Sequence, residues 1–358
     1  MIKGHGGNIY SMARAVGCKP EDFIDMSSNT NPIGVMPGLL DYLRENIDAV
    51  AVHPEVDSRA LVEIFSAHYN IDADCVLAGN GTTQFIYNVP LALRSKKILI
   101  IGPTYSDYED SCKMHNIDYV YAMTSEIELY QMDIFTLHEY LDNIDTVFIC
   151  NPNNPTGSLI TRTDLVTVCM EYADVHFIID ESYLPFAAQY EEATMLTCGL
   201  PNVFVLHSFS KIFKIPGLRL GFLVAPKDII EKFASYYEPW SVNGPAQAAG
   251  YYVMKDSKRA STFLRDTQSF VAKERQLFLK RLEGLSRLRI FPGNAPFFLM
   301  KIEQGLNAAR LCDDMAHERI LLRNCDNFRG LSGQFVRISL RGSRENAMLV
   351  EKLQGIFA

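Results

Sequence analysis

Short apolar runs recur through the middle of the chain, and they constrain its fold more than any other feature. Most of them are continuously apolar rather than alternating, which is typical of strands buried on both faces. They lie at Cys75–Ala78, Lys97–Ile101, Tyr119–Met123, Thr146–Cys150, Val175–Asp180, Asn202–His207 and Leu218–Val224. Helical stretches separate these runs, so we expect an α/β fold with a mainly parallel sheet. Ligands of such sheets bind at the carboxyl ends of the strands.

The pattern changes from about residue 250, where a long amphipathic helix is predicted over Ser261–Leu282. Further strands and helices are predicted at Leu288–Phe291, Phe297–Ile302, Leu306–Glu318, Ile320–Asn324 and Phe335–Leu340, with a last helix from Ser343. At 358 residues the chain exceeds one ordinary domain. We therefore predict a large domain over 46–250, a smaller α+β domain over 251–358, and an N-terminal segment, 1–45, that packs on the small domain.

Composition excludes several classes of function. The net charge of −8 argues against a nucleic-acid-binding protein, which needs a basic face. The eight cysteines form no CxxC pair, so we expect no metal site. Neither a secretory signal nor a membrane-spanning run is found, which predicts a cytoplasmic protein with reduced thiols and no membrane partner. Cys150 and Cys169 lie in apolar surroundings and are expected to be small core residues.

Polar side chains follow several of the predicted strands. Lys211 ends a run that also contains Ser208 and Ser210, and Asp180 ends the strand before it. Asn154 and Arg219 lie in nearby turns. An amine, two hydroxyls, a carboxylate, an amide and a guanidinium at one edge of a sheet suit pyridoxal phosphate. That cofactor has an aldehyde, a phosphate, a ring nitrogen and a phenolic oxygen to satisfy.

Lys211 is the candidate catalytic residue. A lysine forms an imine with an aldehyde only as the neutral amine, and burial and nearby cations favour that form. Lys214 is a weaker candidate because it lacks the position at a strand end. Asp180 would pair with the pyridine nitrogen and keep it protonated. The alternative for Asp180 is a helix cap or a turn.

The cofactor phosphate needs a group of hydrogen-bond donors. Gly81, Thr82 and Thr83 follow a strand and begin a helix, so free backbone N–H groups and the helix dipole can face an anion. A plain helix cap explains this loop equally well when it is taken alone. Ser208, Ser210 and Arg219 add hydroxyl and guanidinium donors, and this combination favours a phosphate site.

Three further residues are predicted to contact the cofactor ring. Tyr105 follows a strand and could stack on the ring. Asn154 and Tyr183 could donate hydrogen bonds to the phenolic oxygen. The sequence therefore predicts one site that surrounds the whole cofactor.

Four motifs together resemble those of fold-type-I pyridoxal-phosphate enzymes of the class I/II aminotransferase family. They are Asn-Pro-x-Asn-Pro-Thr-Gly at 151–157, Asp-Glu-x-Tyr at 180–183, Ser-x-Ser-Lys at 208–211 and Gly-Leu-Arg-Leu-Gly at 217–221. The resemblance covers nearly the whole chain. It implies that Lys211 bonds the cofactor and that the protein is a homodimer with shared active sites. Relatives carry a Tyr that reaches the partner's cofactor phosphate where this chain has His53, so the role of His53 stays open.

The same resemblance assigns residues to an amino-acid substrate. Arg337 matches the family's carboxylate-binding position, and a bidentate arginine suits a carboxylate well. The turn Asn31-Pro32-Ile33-Gly34 matches one whose backbone approaches the same carboxylate. Arg341 is either a second contact or a solvated side chain.

A narrower resemblance concerns the N-terminus. Gly4-His5-Gly6-Gly7-Asn8 and the segment around Arg323 are similar to those of the threonine-phosphate decarboxylases, a branch close to histidinol-phosphate aminotransferases. The likeness implies that His5, Gly6, Asn8 and Arg323 hold a substrate phosphate. It also implies decarboxylation of phosphothreonine or phosphoserine for cobamide synthesis, with histidinol-phosphate transamination as the alternative. On the residues alone, two alternatives stay open: residues 4–8 form a flexible tail, and Arg323 forms a salt bridge at a strand end.

Overall fold

Strands and helices alternate through the structure, a computed structural model that describes residues 8–358. The N-terminal part contains helix α1 (Ile9–Val16), strand β1 (Ile24–Asp25) and helix α2 (Leu39–Glu45). The middle contains α3 (Arg59–Tyr69), β2 (Val76–Asn80), α4 (Thr82–Ala92), β3 (Lys97–Gly102), α5 (Asp107–His115), β4 (Asp118–Met123), β5 (Thr146–Cys150), α6 (Arg162–Glu171), β6 (His176–Asp180), α7 (Tyr190–Ala193), β7 (Val203–Ser208), α8 (Phe209–Ile212), β8 (Leu220–Val224), α9 (Lys227–Ala234) and α10 (Gly244–Met254). The C-terminal part contains α11 (Ser257–Leu282), β9 (Leu288–Ile290), β10 (Phe297–Ile302), α12 (Ala308–His317), β11 (Ile320–Leu321), β12 (Arg323–Asn324), β13 (Phe335–Ser339) and α13 (Ser343–Phe357).

The middle of the chain forms a seven-stranded sheet in the order β2-β8-β7-β6-β5-β3-β4. All neighbouring pairs are parallel except those of β8, which runs antiparallel to both β2 and β7. Every residue of β5, β7 and β8 is buried, as expected for strands covered on both faces. The predicted α/β fold with a mainly parallel sheet is therefore confirmed.

Aromatic rings fill the space between this sheet and its helices. Phe65 of α3 is fully buried and stacks on Phe222 of β8, with ring centroids 4.0 Å apart. Phe209 lies edge-on to Phe222 at 5.0 Å. Burying one such ring stabilises a fold by about 1.5–3 kcal/mol, so this cluster holds the end of β7 and the start of α8 firmly.

The C-terminal part contains a four-stranded antiparallel sheet in the order β12-β13-β10-β9. Helix α11 packs against it through Phe278, which stacks on Phe298 of β10 at 4.8 Å. In this sheet Arg337 of β13 lies opposite Arg323 of β12 and Leu299 of β10. The register therefore brings two arginines to neighbouring positions.

The single strand predicted over Ile320–Asn324 is wrong. The chain instead forms two short strands that belong to different sheets. Ile320 and Leu321 pair in parallel with Ile24 and Asp25 of β1, whereas Arg323 and Asn324 pair with β13. The backbone changes partner at this point because the N-terminal segment supplies its own strand to β11.

The N-terminal segment contacts both parts of the molecule. Strand β1 pairs with β11, and Ala13 and Phe23 pack against Ala316 and Leu321 in one apolar cluster. Helix α2 packs on α10 of the middle part. The domain limits 1–45, 46–250 and 251–358 stay predictions.

No helix within residues 8–358 is both long and apolar enough to cross a bilayer. All eight cysteines are free thiols, and Cys150 and Cys169 are both buried. The cytoplasmic location stays a prediction.

Candidate active site

A cavity of about 110 Å³ opens at the carboxyl edge of the large sheet. All of the predicted cofactor residues except Gly81 lie in its wall. The wall is formed by Thr82, Thr83, Tyr105, Tyr108, Cys150, Asn154, Asp180, Ser182, Tyr183, Ser208, Ser210, Lys211 and Arg219. Strand ends from distant parts of the sequence thus meet at one place, as the topology of a parallel sheet requires. Arg219 reaches the same edge because β8 is reversed, so the start of that strand lies beside the ends of its neighbours.

Lys211 lies on the short helix α8, directly after the buried strand β7. Burial lowers the pKa of its amine to about 8 from an ordinary value of 10.5, and the guanidinium groups of Arg219 and Arg337 act in the same direction. Asp180 opposes these effects. The amine is therefore much more often neutral near pH 8 than an exposed lysine would be.

Asp180 is buried at the end of β6 and accepts two hydrogen bonds. The Tyr108 hydroxyl donates to Oδ2 at 2.8 Å, and the backbone N–H of Ser182 donates to Oδ1 at 2.9 Å. Burial raises the pKa of Asp180, while both hydrogen bonds and Lys211 act against that rise. A buried carboxylate held in this way is suited to pair with a cationic group of a ligand.

Tyr108 and Ser182 were not found by sequence reasoning. Tyr108 is fully buried, and its ring stacks on Phe148 with centroids 4.8 Å apart. Tyr105 precedes α5, and the two tyrosine rings meet edge-on with centroids 5.8 Å apart. Cys150, which was expected only to fill the core, also lies in the wall of the cavity.

Helix α4 begins beside the cavity, and its first N–H groups have no side-chain cap. Gly81 precedes the helix at a φ of 74°, and a Cβ there would lie 2.5 Å from Nη2 of Arg219. A Cβ on Gly221 would likewise lie 2.6 Å from the backbone nitrogen of Thr82. The two glycines therefore allow the guanidinium and the helix start to approach each other. Together with the hydroxyls of Ser208 and Ser210, these groups form a cluster of anion-binding donors.

Two tyrosines complete the wall. Tyr183 lies edge-on to Phe297, with ring centroids 5.2 Å apart, and burial raises its pKa to about 12. Burial likewise raises the pKa of Tyr105. Both rings are therefore neutral hydrogen-bond donors and apolar surfaces at physiological pH.

Arg337 of the small sheet does not line the cavity but contacts Asn154, which does. Its Nη1 donates to Oδ1 of Asn154 at 2.5 Å, and its Nη2 donates to the carbonyl oxygen of Ser27 at 2.6 Å. Its Nε is buried and has no hydrogen-bond partner among residues 8–358. The guanidinium also lies over the ring of Phe297 at 5.5 Å. Arg337 therefore connects the two sheets and retains one donor for a ligand.

Arg323 lies opposite Arg337 on the neighbouring strand. Its Nη1 donates to the carbonyl oxygen of Asn324 at 2.5 Å, and its Nη2 donates to Oδ1 of Asn327 at 2.6 Å. Burial lowers the pKa of both arginines. Two neighbouring, partly desolvated guanidinium groups favour an anionic ligand.

The turn 31–34 lies outside the cavity wall described above. Asn31 is fully buried, and its Nδ2 donates to the carbonyl oxygen of Ile212 at 2.7 Å and to Oγ1 of Thr267 at 2.9 Å. Its own backbone N–H donates to the carbonyl oxygen of Lys211 at 3.1 Å. The Asn31 side chain therefore anchors the turn to α8 and α11. Of the remaining turn residues, Pro32 is buried, Ile33 is exposed, and Gly34 has a φ of 104°.

The other predicted substrate residues have distinct surroundings. Asn8 is exposed and caps α1, because its Oδ1 accepts from the backbone N–H of Ser11 at 3.1 Å. His5 and Gly6 lie outside the described residues. Arg341 donates to the carbonyl oxygens of Leu340 and Ser28, so it is a structural link rather than a solvated side chain.

Known proteins of two activities are similar to this chain. Threonine-phosphate decarboxylase of Salmonella typhimurium is 29% identical over 355 residues, which cover 98% of this chain and 96% of that protein. Histidinol-phosphate aminotransferase of Methanocaldococcus jannaschii is 27% identical over 357 residues, with coverage of 99% and 94%. These two identities are too close to separate the activities.

A solved structure extends the likeness to the fold. The crystal structure of L-threonine-O-3-phosphate decarboxylase from Porphyromonas gingivalis superposes with a TM-score of 0.82 at 29% identity. The match covers 92% of this chain and 98% of that one. The predicted fold-type-I architecture is thereby confirmed. Residues 21–353 match the sequence model of aminotransferases of class I and II, and the chain therefore belongs to that family.

Proposed function

We propose that this chain is a pyridoxal-phosphate enzyme that decarboxylates L-threonine O-3-phosphate, or its analogue L-serine O-phosphate. The products are aminopropanol phosphate or ethanolamine phosphate, which serve cobamide biosynthesis. One observation carries the proposal: Lys211, the buried carboxylate of Asp180 and a cluster of anion-binding donors line one cavity. A histidinol-phosphate aminotransferase is the alternative.

The residues that line the cavity fit the cofactor in their chemistry. The start of α4, Ser208, Ser210 and Arg219 would hold the phosphate, and Asp180 would pair with the ring nitrogen. Tyr105 would stack on the ring, while Asn154 and Tyr183 would donate to the phenolic oxygen. When bound, pyridoxal phosphate supplies an aldehyde that bonds to amines and a protonated ring that accepts electrons.

Lys211 is the residue that moves protons in this proposal. Its pKa of about 8 lets the amine accept or donate a proton near neutral pH. In a decarboxylation, its Nζ would return a proton to the α-carbon after CO₂ has left. Tyr108 and Ser182 donate hydrogen bonds to the two carboxylate oxygens of Asp180. This fixed carboxylate would hold the ring nitrogen of the cofactor in one position.

The two cross-strand arginines support a substrate that carries two anionic groups. Arg337 would bind the carboxylate through its remaining donor, and Arg323 would bind the phosphate. Phosphothreonine and phosphoserine carry both groups, whereas histidinol phosphate carries a phosphate and no carboxylate. In the alternative function, Arg337 would serve only the second substrate, an amino or oxo acid.

We also propose that two copies of the chain form the active enzyme. Large apolar side chains are exposed on one surface, where Ile47, Val50 and Val52 lie beside α10. Trp240 belongs to the same surface, since its backbone N–H donates to the carbonyl oxygen of Val56 and its ring lies 5.0 Å from that of His53. An exposed apolar surface of this kind marks a protein interface, and His53 would lie within it.

Replacing Lys211 tests the assignment of the cofactor-bonding residue. We expect Lys211→Ala to lose the visible absorbance band of the lysine-bound cofactor and to lose turnover, because no other lysine among residues 8–358 lies in the cavity wall. Lys214→Ala should keep both, since Lys214 lies near Arg341 and Glu345 rather than in that wall. Visible absorbance spectra of both variants, recorded after incubation with the cofactor, test this expectation. A band that survives in Lys211→Ala would contradict the assignment.

The pH dependence of cofactor capture tests the lowered pKa of Lys211. Because only the neutral amine reacts, capture by the apoprotein should accelerate about tenfold between pH 7 and 9 and then level off. Arg337→Gln removes a cation that lowers this pKa, so its midpoint should move to higher pH. Stopped-flow absorbance gives the rates. A wild-type rate that still climbs steeply at pH 10 would show an ordinary lysine.

The product of the reaction separates the two candidate functions. Purified holoenzyme given O-phospho-L-threonine should release CO₂ and form aminopropanol phosphate without an oxo acid. With histidinol phosphate and 2-oxoglutarate, we expect no glutamate. Mass spectrometry identifies the products of both reactions. Glutamate in the second arm and no amine in the first would favour the aminotransferase.

The interface proposal predicts a particle of twice the chain mass of 40.4 kDa. Val50→Asp combined with Val52→Asp should produce monomers, because charges would be buried at the interface. Met170→Asp is a matched control, since Met170 and Val50 are both 64% exposed but Met170 lies on helix α6. Sedimentation measures the masses. A dimer that persists in the double variant would exclude this surface.

A further inference from the structure

We propose that Arg329 and Glu109 are positioning residues that hold Arg323 in place for the phosphate of the substrate. Neither residue lies in the cavity wall, and they belong to opposite parts of the chain. The inference rests on the proposed function, because it concerns the phosphate that Arg323 would bind. Residues 324–331, called here the phosphate loop, connect the two.

The phosphate loop sets the direction of the Arg323 side chain. Nη2 of Arg323 donates to Oδ1 of Asn327 at 2.6 Å, and Nη1 donates to the carbonyl oxygen of Asn324 at 2.5 Å. The guanidinium also lies over the ring of Phe328, 5.1 Å from its centroid. Three residues of one loop therefore contact the guanidinium, so a displaced loop would redirect it.

Arg329 ties this loop to helix α5 of the large sheet. Its Nη2 donates to Oε1 of Glu109 at 2.9 Å, and its Nε donates to Oε2 at 3.2 Å. The guanidinium also lies over the ring of Tyr121 at 5.0 Å. A two-point arginine–carboxylate pair fixes orientation as well as distance.

Glu109 is itself held by several groups of the large sheet. The hydroxyls of Tyr119 and Tyr121 donate to its two oxygens at 3.0 and 2.7 Å, and Nζ of Lys113 lies 2.6 Å away. Burial raises the pKa of Glu109, but Arg329, Lys113 and the two tyrosines outweigh it and lower the pKa to about 2. The Glu109 carboxylate is therefore ionised throughout the physiological pH range.

A second contact fixes the path of the loop. Gly330 has a φ of 87°, and a Cβ at this position would overlap Cε of Met123 at the end of β4. The loop is thus pressed against the large sheet next to Arg329. Two adjacent residues of the phosphate loop meet the large sheet, while its first residues hold Arg323.

Arg329→Ala tests the proposal, because the side chain is 55% exposed and its removal leaves the core intact. Calorimetry of the holoenzyme should compare aminopropanol phosphate with aminopropanol, which differ only in the phosphate and cannot lose CO₂. We expect the variant to bind the phosphorylated amine about tenfold more weakly and the plain amine equally well. For O-phosphothreonine, KM should rise by a similar factor while kcat changes less than about twofold.

Lys113→Ala is the matched control. This change removes another cation that contacts Glu109. Because Lys113 lies on the same helix as Glu109 and not on the phosphate loop, the preference for the phosphorylated amine should be retained. Arg329→Lys keeps the charge without the two-point contact and should give an intermediate preference. An unchanged preference in Arg329→Ala would overturn the positioning role alone. A wild-type protein that does not prefer the phosphorylated amine would overturn both this role and the proposed function.

Discussion

The partial burial of Lys211 beside other cations is the constraint on which the site depends. Its amine lies close to the guanidinium groups of Arg219 and Arg337, and the carboxylate of Asp180 opposes their charge. In a solvated setting these charges would be screened and the lysine would stay protonated. The buried strands around it prevent that screening. The chemistry of the amine is therefore a property of the whole sheet edge rather than of one residue.

The reversed strand β8 explains how the cations reach this edge. Because β8 runs against its neighbours, Arg219 precedes the strand yet lies beside the ends of β2 and β7. The close approach of β8 to the start of α4 is possible only because Gly81 and Gly221 lack side chains. Antiparallel pairing and two glycines thus create a donor cluster that an all-parallel sheet would not form.

The sequence predicted those features that are local to strand ends. The places of the strands along the chain, the position of Lys211 and the grouping of Asp180 with Ser208 follow from apolar runs and from the rule that parallel strands end at one edge. Tyr108 escaped prediction because its bond to Asp180 joins residues 72 positions apart. The break at Leu322 escaped it as well, since only the pairing of Ile320 with Ile24 reveals it. Long-range side-chain contacts and changes of pairing partner leave no local pattern.

The cross-strand pair of Arg323 and Arg337 bears on how the small sheet contributes to selectivity. Two guanidinium groups at facing positions repel each other, and burial makes that repulsion stronger. The fold offsets it with neutral acceptors, namely Asn154 and Ser27 for one arginine and Asn324 and Asn327 for the other. Asp25 acts on Arg337 and Asp326 acts on Arg323 to raise their pKa values, but burial outweighs these charges and lowers the pKa of both arginines. A ligand with separate carboxylate and phosphate groups would relieve the repulsion at both positions, whereas a ligand with one anionic group would relieve it at only one.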